Sequence, residues 1–134
     1  MHSKTILLVE DEEQVMRLLV KILEMKGFIV LQAPTGSRAL EMSESHEGHI
    51  DLLLADVELE ESMNGPKVAR MLRRTRPGLR VLYPSGYPSE IGHEREGQMV
   101  RKEAQEYMAG FLPKPFTPSV LAENVRYVLE DMPT

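Results

Sequence analysis

The chain contains no cysteine among its 134 residues. Disulfide scaffolds, thiolate zinc sites and cysteine nucleophiles are therefore excluded, and the composition fits a reducing compartment. The sequence also lacks any apolar run near the roughly 20 residues that a membrane-spanning helix needs, and its first residues, Met1 to Thr5, show no signal-peptide core. We therefore expect a cytoplasmic protein that makes no membrane contact.

An excess of basic residues is missing as well, because 21 Asp and Glu outweigh 16 Lys and Arg and give a net charge of -5. Nucleic-acid phosphates are normally bound by a clustered basic face, so direct nucleic-acid binding is not expected. One dense basic cluster is present, formed by Arg70, Arg73, Arg74, Arg76 and Arg80. We interpret it as a solvated helix face followed by a turn, with phosphate binding as the alternative.

The length of the chain suits one domain with a substantial core and is too short for two ordinary domains. We therefore expect a single domain that spans residues 1–134. Hydrophobic residues at 42% and charged residues at 28% are typical of globular proteins, which argues against a disordered or fibrous chain.

Two continuous aliphatic runs end on acids. The first covers residues 51–56 and ends at Asp56; the second covers residues 6–9 and is followed by four acids, Glu10 to Glu13. Aliphatic runs with no amphipathic period predict strands that are buried on both faces, as in a parallel sheet. The simplest interpretation of the four acids is that Asp11 caps the following helix while the next two occupy its first turn.

Strands and helices alternate along the whole chain. Further strands are predicted at residues 28–31, 79–83 and 109–112, and helices after Asp11, after a turn at residues 33–37, from Gly65, within residues 88–108 and from Thr117. Gly27 is predicted to end the first helix. Strict alternation of this kind predicts a doubly wound α/β fold, in which five helices cover both faces of a five-stranded parallel sheet.

The carboxyl ends of parallel strands meet at one edge of a sheet, so the residues that follow the strands become neighbours. Here they are Glu10, Asp11, Asp56, Ser85 and Lys114. Clustered carboxylates repel one another unless a cation neutralises them, and oxygen ligands favour Mg²⁺ or Mn²⁺ over zinc. The pattern predicts a divalent metal site at this edge.

A carboxylate beside a bound metal can act as a nucleophile toward phosphorus. We assign Asp56 as the phosphoryl acceptor and place the metal on the acids Glu10 and Asp11. Lys114 would pair with one phosphoryl oxygen, and Ser85 would bind another after transfer.

These residues lie within longer motifs. They are Leu7-Leu8-Val9-Glu10-Asp11-Glu12, residues 51–56 with Met63-Asn64-Gly65, Ser85-Gly86-Tyr87, and Phe111-Leu112-Pro113-Lys114-Pro115-Phe116. In this order the motifs resemble the receiver domains of response regulators, the CheY-like family. The resemblance implies a flavodoxin-like sheet of order 2-1-3-4-5, Mg²⁺-dependent phosphoryl transfer from a kinase phosphohistidine to Asp56, and slow self-catalysed hydrolysis afterwards.

The same resemblance implies further roles. Ser85 and Phe111 would form a switch pair, and the backbone carbonyl of Glu58 would be a metal ligand. The loop after Asp56 is one residue longer than is usual for receivers and lacks their proline, so the position of Glu58 is open. Implied partners are a histidine kinase or a histidine phosphotransfer domain, and then a downstream effector or the kinase domain of the same protein. The residues of the last two motifs are most similar to those of the C-terminal receivers of hybrid histidine kinases.

Two alternatives stay open. A pseudo-receiver would keep the fold and bind protein partners without being phosphorylated, since a fold does not determine a function. A phosphatase or phosphotransferase could use Asp56 as its nucleophile, but it would need a second acid and a cap over the substrate. No insertion of that size is present in the sequence, so we expect a signalling switch and not a free-standing enzyme.

Overall fold

A computed structural model of the chain describes residues 3–57, 59, 63–85, 109–113 and 116–131. Strands and helices alternate through residues 5–85 of this part of the chain. The strands are β1 (Thr5–Val9), β2 (Ile29–Ala33), β3 (Leu52–Ala55), β4 (Arg80–Ser85) and β5 (Ala109–Pro113). The helices are α1 (Glu13–Met25), α2 (Gly36–Ser45), α3 (Gly65–Arg73) and α4 (Pro118–Arg126), and a π-helical turn (Tyr127–Asp131) follows α4. The helix predicted within residues 88–108 lies outside the described residues.

The five strands form one parallel sheet in the order β2-β1-β3-β4-β5. This is the predicted order, and it confirms the doubly wound α/β fold. Parallel strands place all their carboxyl ends on one edge of the sheet and all their amino ends on the other. The helices run back between these edges, so each begins near the carboxyl edge.

The alternation of side chains along β1 and β3 builds two cores, one on each face of the sheet. Leu7 and Leu53 face a core that contains Val68 and Leu72 of α3. Their neighbours in sequence face the opposite core with α1 and α4; these are Ile6, Leu8, Leu52 and Leu54. Because both faces are covered, β1 and β3 are buried throughout, and this explains why their sequences are aliphatic runs without alternation.

Three helices begin at a residue whose side chain caps the helix. Thr35 accepts a hydrogen bond from Arg38 N at 3.0 Å, Asn64 from Lys67 N at 2.9 Å, and Thr117 from Val120 N at 3.1 Å. Each cap satisfies one backbone N–H that the helix itself leaves unpaired. The starts of α3 and α4 agree with the prediction, and both helices have proline in the first turn, where a missing N–H costs nothing.

Several predicted boundaries are wrong: β4 covers Arg80–Ser85 instead of residues 79–83, and α2 begins at Gly36, inside the turn predicted at residues 33–37. The residue that precedes α1 is Glu12, in an extended conformation, so Asp11 does not cap this helix. β2 begins at Ile29 and continues to Ala33, because β1 pairs with it along its full length, from Thr5 opposite Ile29 to Val9 opposite Ala33. The end of α1 was predicted correctly: Gly27 has a φ of +92°, a conformation that favours glycine.

The interpretation of the arginine cluster as a solvated face is also wrong for three of its members. Arg76 donates hydrogen bonds to the backbone oxygens of Ser43, His46 and Gly48 and to the Ser43 hydroxyl. Arg80 donates to the backbone oxygens of Val128 and Leu129, and Arg73 donates to that of Leu79. These guanidinium groups bind carbonyl groups at the ends of helices and turns. Only Arg70 and Arg74 are exposed, as predicted.

No helix among the described residues combines the length and the apolar character needed to cross a membrane.

Candidate functional site

Glu10 and Asp56 follow the two central strands at the carboxyl edge of the sheet. Val9, the last residue of β1, pairs with Ala55, the last residue of β3, so the two acids come next to each other in the register. Glu10 is 9% exposed, and Asp56 is half-buried. The order of the strands changes direction between β1 and β3, and open α/β sheets bind ligands at such a point.

Glu10 is held on two sides. Its backbone N–H donates to Ala33 O at 3.1 Å, which extends the pairing of β1 with β2 by one residue. Its carboxylate accepts a hydrogen bond from Glu12 N at 3.3 Å, beside the start of α1. Asp11, between them, is exposed at the same edge. One acid is therefore fixed beside the backbone, while the other faces solvent.

The backbone around Asp56 is fixed from the other direction. Val57, the next residue, is 6% exposed, and its backbone oxygen accepts a hydrogen bond from Gly65 N at 3.0 Å. Gly65 is the first residue of α3. The chain leaves the sheet at Asp56. The hydrogen bond from Gly65 to Val57 then brings the start of α3 back beside this end of β3.

The remaining predicted site residues lie on β4 and β5 or outside the described residues. Ser85 is the last residue of β4 and pairs with Pro113, the last residue of β5; Phe111 pairs with Tyr83. Both predicted switch residues thus belong to neighbouring strands that end at the carboxyl edge. Lys114 and Glu58 lie outside the described residues.

The donors at this edge suit a hard divalent cation, because carboxylate oxygens are the ligands that Mg²⁺ and Mn²⁺ prefer. Within the part of the chain that the structure describes, no group of three or more acidic or histidine side chains forms a metal cluster. Glu10, Asp11 and Asp56 share this edge of the sheet. An ion held there would keep water among its ligands, which is usual for Mg²⁺ in proteins.

The sequence places Gly65 at the start of a helix and within a motif, but it does not predict that Gly65 contacts Asp56. The structure places it against the backbone of Asp56, where a side chain could not fit. The one signal in the sequence was a glycine directly before a proline at the start of a helix.

Known proteins with similar sequences are signalling proteins. The chain is 38% identical over 128 residues to the sensor kinase CckA of Brucella abortus, an alignment that covers 96% of this chain and 13% of that protein. It is 33% identical over 125 residues to the transcriptional regulatory protein CpxR of Escherichia coli strain K12, covering 92% of this chain and 48% of CpxR. The chain therefore spans less than half the length of either relative.

Solved structures with the same fold are also receiver domains of signalling proteins. The receiver domain protein (CheY-like) from Methanospirillum hungatei has a TM-score of 0.80 at 25% identity, with 97% of this chain and 96% of that chain covered. The receiver domain of the hybrid histidine kinase CckA has a TM-score of 0.73 at 30% identity, with 94% of this chain and 99% of that chain covered.

The response regulator receiver domain model matches residues 6–126. This range begins within β1 and ends at the last residue of α4, so it contains the sheet except for Thr5, together with the acids at its carboxyl edge. The chain belongs to the response regulator receiver domain family, whose members work in two-component signal transduction.

Proposed function

We propose that this receiver is a phosphoryl acceptor and that Asp56 is its acceptor residue. The observation that supports this is the register of β1 and β3, which sets Glu10 beside Asp56 at the carboxyl edge of the sheet. A phosphohistidine of a histidine kinase or of a histidine phosphotransfer domain is the donor. The Asp56 carboxylate attacks phosphorus, the P–N bond breaks, the imidazole leaves with the electron pair of that bond, and an acyl phosphate forms.

The remaining site residues bind the charged groups of this reaction. Glu10, Asp11 and Asp56 would hold Mg²⁺ or Mn²⁺, with the backbone carbonyl of Glu58 as a further ligand. When bound, the ion offsets negative charge on the transferring oxygens. Lys114 pairs with one phosphoryl oxygen, and Ser85 donates a hydrogen bond to another after transfer. Ser85 and Phe111 then form the switch that reports phosphorylation on the partner-binding face.

We further propose that residues 1–134 are a single receiver domain from a hybrid histidine kinase. The 38% identity to the sensor kinase CckA, in an alignment that covers 96% of this chain, supports that origin. The partners would then be the kinase domain of the same protein, a histidine phosphotransfer domain and a downstream effector. The only chemistry of the domain would be phosphoryl transfer to itself and hydrolysis of its own acyl phosphate.

Phosphorylation by a small donor tests this function. The purified chain is treated with acetyl phosphate or a phosphoramidate, with and without Mg²⁺, and its intact mass is measured. We expect a gain of one phosphoryl group that needs Mg²⁺ and disappears in Asp56→Asn. Asp51→Asn is a matched control, because Asp51 precedes the same strand at its other end. Loss of phosphorylation in both variants, or in neither, would contradict the assignment.

A pseudo-receiver is the second candidate, and the feature that favours it is the loop after Asp56, which is one residue longer than is usual for receivers and lacks their proline. It would bind protein partners through the same fold without an acyl phosphate. If folded wild-type protein binds Mg²⁺ but gains no phosphoryl group from either donor, the pseudo-receiver is the better description.

A further inference from the structure

The first residue of α3 lies directly against the backbone of Asp56. A Cβ atom placed on Gly65 would lie 3.1 Å from the carbonyl carbon of Asp56 and closer still to its carbonyl oxygen, nearer than real Cβ atoms approach other groups. It would also lie 3.1 Å from Cε1 of Tyr83. Gly65 thus fills a narrow space between the end of β3 and the ring of a residue on β4.

The groups around this space differ in how freely they can move. Tyr83 is fully buried, and α3 is held by Val68, Ala69 and Leu72, which are 0 to 2% exposed. Asp56 is half-buried at the edge of the sheet and is followed by a loop. A side chain at residue 65 would therefore displace the carbonyl group of Asp56 more readily than the core or the helix.

We propose that Gly65 is a positioning residue for the chemistry of Asp56, a role that rests on the function proposed above. Because Gly65 has no side chain, the first turn of α3 can pack directly against the Asp56 carbonyl. The hydrogen bond from Gly65 N to Val57 O, 3.0 Å long, holds the helix in this position. The carboxylate of Asp56 is thereby aimed by the start of a helix. A displacement of about 1 Å at such a position can lower a rate by up to about a hundredfold.

Gly65→Ala tests the proposal, and Gly36→Ala is its matched control. Gly36 is likewise the first residue of a helix, α2, and a Cβ there would crowd Met63 and lie 2.8 Å from Cγ2 of Val68. Both contacts are with side-chain atoms, and neither involves the backbone of Asp56. Both variants crowd the same core, but only Gly65→Ala presses on the acceptor backbone.

Three quantities are compared per folded molecule: the phosphorylation rate with acetyl phosphate, the Kd for Mg²⁺, and the ¹³C chemical shift of the Asp56 carbonyl. For Gly65→Ala we expect a rate at least about tenfold lower, with weaker Mg²⁺ binding and a shifted carbonyl resonance. Gly36→Ala should stay within about twofold of wild type at equal folded fraction. Equal rates in the two variants would overturn the proposal.

A milder pair of variants keeps the test usable if Gly65→Ala does not fold. Asn64→Ala removes the cap of α3 beside Gly65, and Thr35→Ala removes the same kind of cap from α2. Each should lower stability by a similar amount, but only Asn64→Ala should shift the Asp56 carbonyl resonance and slow phosphorylation. If Thr35→Ala has the same effects, Gly65 has no positioning role.

If wild type is never phosphorylated, the proposed function fails. The carbonyl chemical shift and the Mg²⁺ affinity of the variants would still show whether Gly65 positions Asp56.

Discussion

Arg76 holds the end of α2, and its removal gives the largest stability loss that we expect from an arginine of the cluster. Its guanidinium donates to Ser43 Oγ at 2.9 Å, Ser43 O at 3.0 Å, His46 O at 2.9 Å and Gly48 O at 3.0 Å. α2 has no basic residue in its own last turn. Arg76 therefore supplies from another part of the chain both the donors and the positive charge that a helix C-terminus favours.

The magnitude follows from which acceptors can be rehydrated. The oxygens of His46 and Gly48 lie beyond the helix, where water can replace the guanidinium. Ser43 is only 6% exposed, so in Arg76→Ala its two oxygens lose a charged donor in a buried setting. At about 1 to 1.5 kcal/mol for each such hydrogen bond, we expect a loss of about 2 to 3 kcal/mol. For a domain of this size this corresponds to a fall in Tm of about 8 to 12 °C.

Urea denaturation followed by far-ultraviolet circular dichroism measures this loss, since the chain has no tryptophan for fluorescence. Arg76→Lys should recover only part of it, because an ammonium group keeps the charge but cannot reproduce the planar fork of donors. Arg74→Ala is the control: Arg74 is exposed in the same cluster and should change the unfolding free energy by less than about 0.5 kcal/mol. Full recovery by lysine, or equal losses for Arg74→Ala and Arg76→Ala, would refute the reasoning.

Two further predictions concern the backbone of the described residues. Arg80→Ala removes the donor to Val128 O and Leu129 O; we expect a loss of about 1 to 2 kcal/mol and faster amide exchange in the π-helical turn that follows α4, and unchanged exchange there would contradict it. Gly27→Ala forces a side chain into a φ of +92° and should cost about 1 kcal/mol or more, whereas Gly78→Ala, with open space and no positive φ, should be neutral or slightly stabilising. Equal melting temperatures for the two glycine variants would show that the backbone at Gly27 is not constrained.

The elements that the sequence predicts best are those whose pattern is set by burial on both faces. The runs at residues 6–9 and 52–55 are aliphatic because two cores need them, so both strands and their central place in the sheet could be predicted. The predicted limits of β2 differ from the observed ones because they depend on pairing with β1, from Thr5 to Val9. A run of apolar residues does not show where that pairing begins.

Long-range side-chain contacts were not predictable in the same way. The spacing of the arginines on and after α3 is that of any solvated helix. Whether such a side chain reaches a carbonyl oxygen 30 or more residues away depends on how α2 and α3 pack. Asp11 failed as a cap for a similar reason: the choice between Asp11 and Glu12 depends on the path of the chain as it leaves β1.

The candidate site was predicted at the level of the sheet but not at the level of contacts. The rule that strand ends share an edge correctly set Glu10 beside Asp56. It could not show that the Glu10 carboxylate accepts a hydrogen bond from Glu12, or that the Asp56 carbonyl lies against Gly65. Both contacts involve backbone atoms, whose positions the identity of the residues does not reveal.

The two edges of the sheet have different roles: contacts at the amino edge stabilise the fold, and the candidate site lies at the carboxyl edge. Near the amino edge, Arg76 binds the end of α2 and Arg80 binds the π-helical turn after α4. Asp51 also accepts a hydrogen bond there from Thr5 N at 2.8 Å. Because helices in a parallel α/β fold run from the carboxyl edge back to the amino edge, their C-terminal carbonyl groups collect at the amino edge and need donors there. The carboxyl edge receives the helix N-termini instead, whose N–H groups favour anions. Substitutions at the amino edge should therefore change the unfolding free energy and leave the phosphorylation rate per folded molecule unchanged, whereas Gly65→Ala should change both.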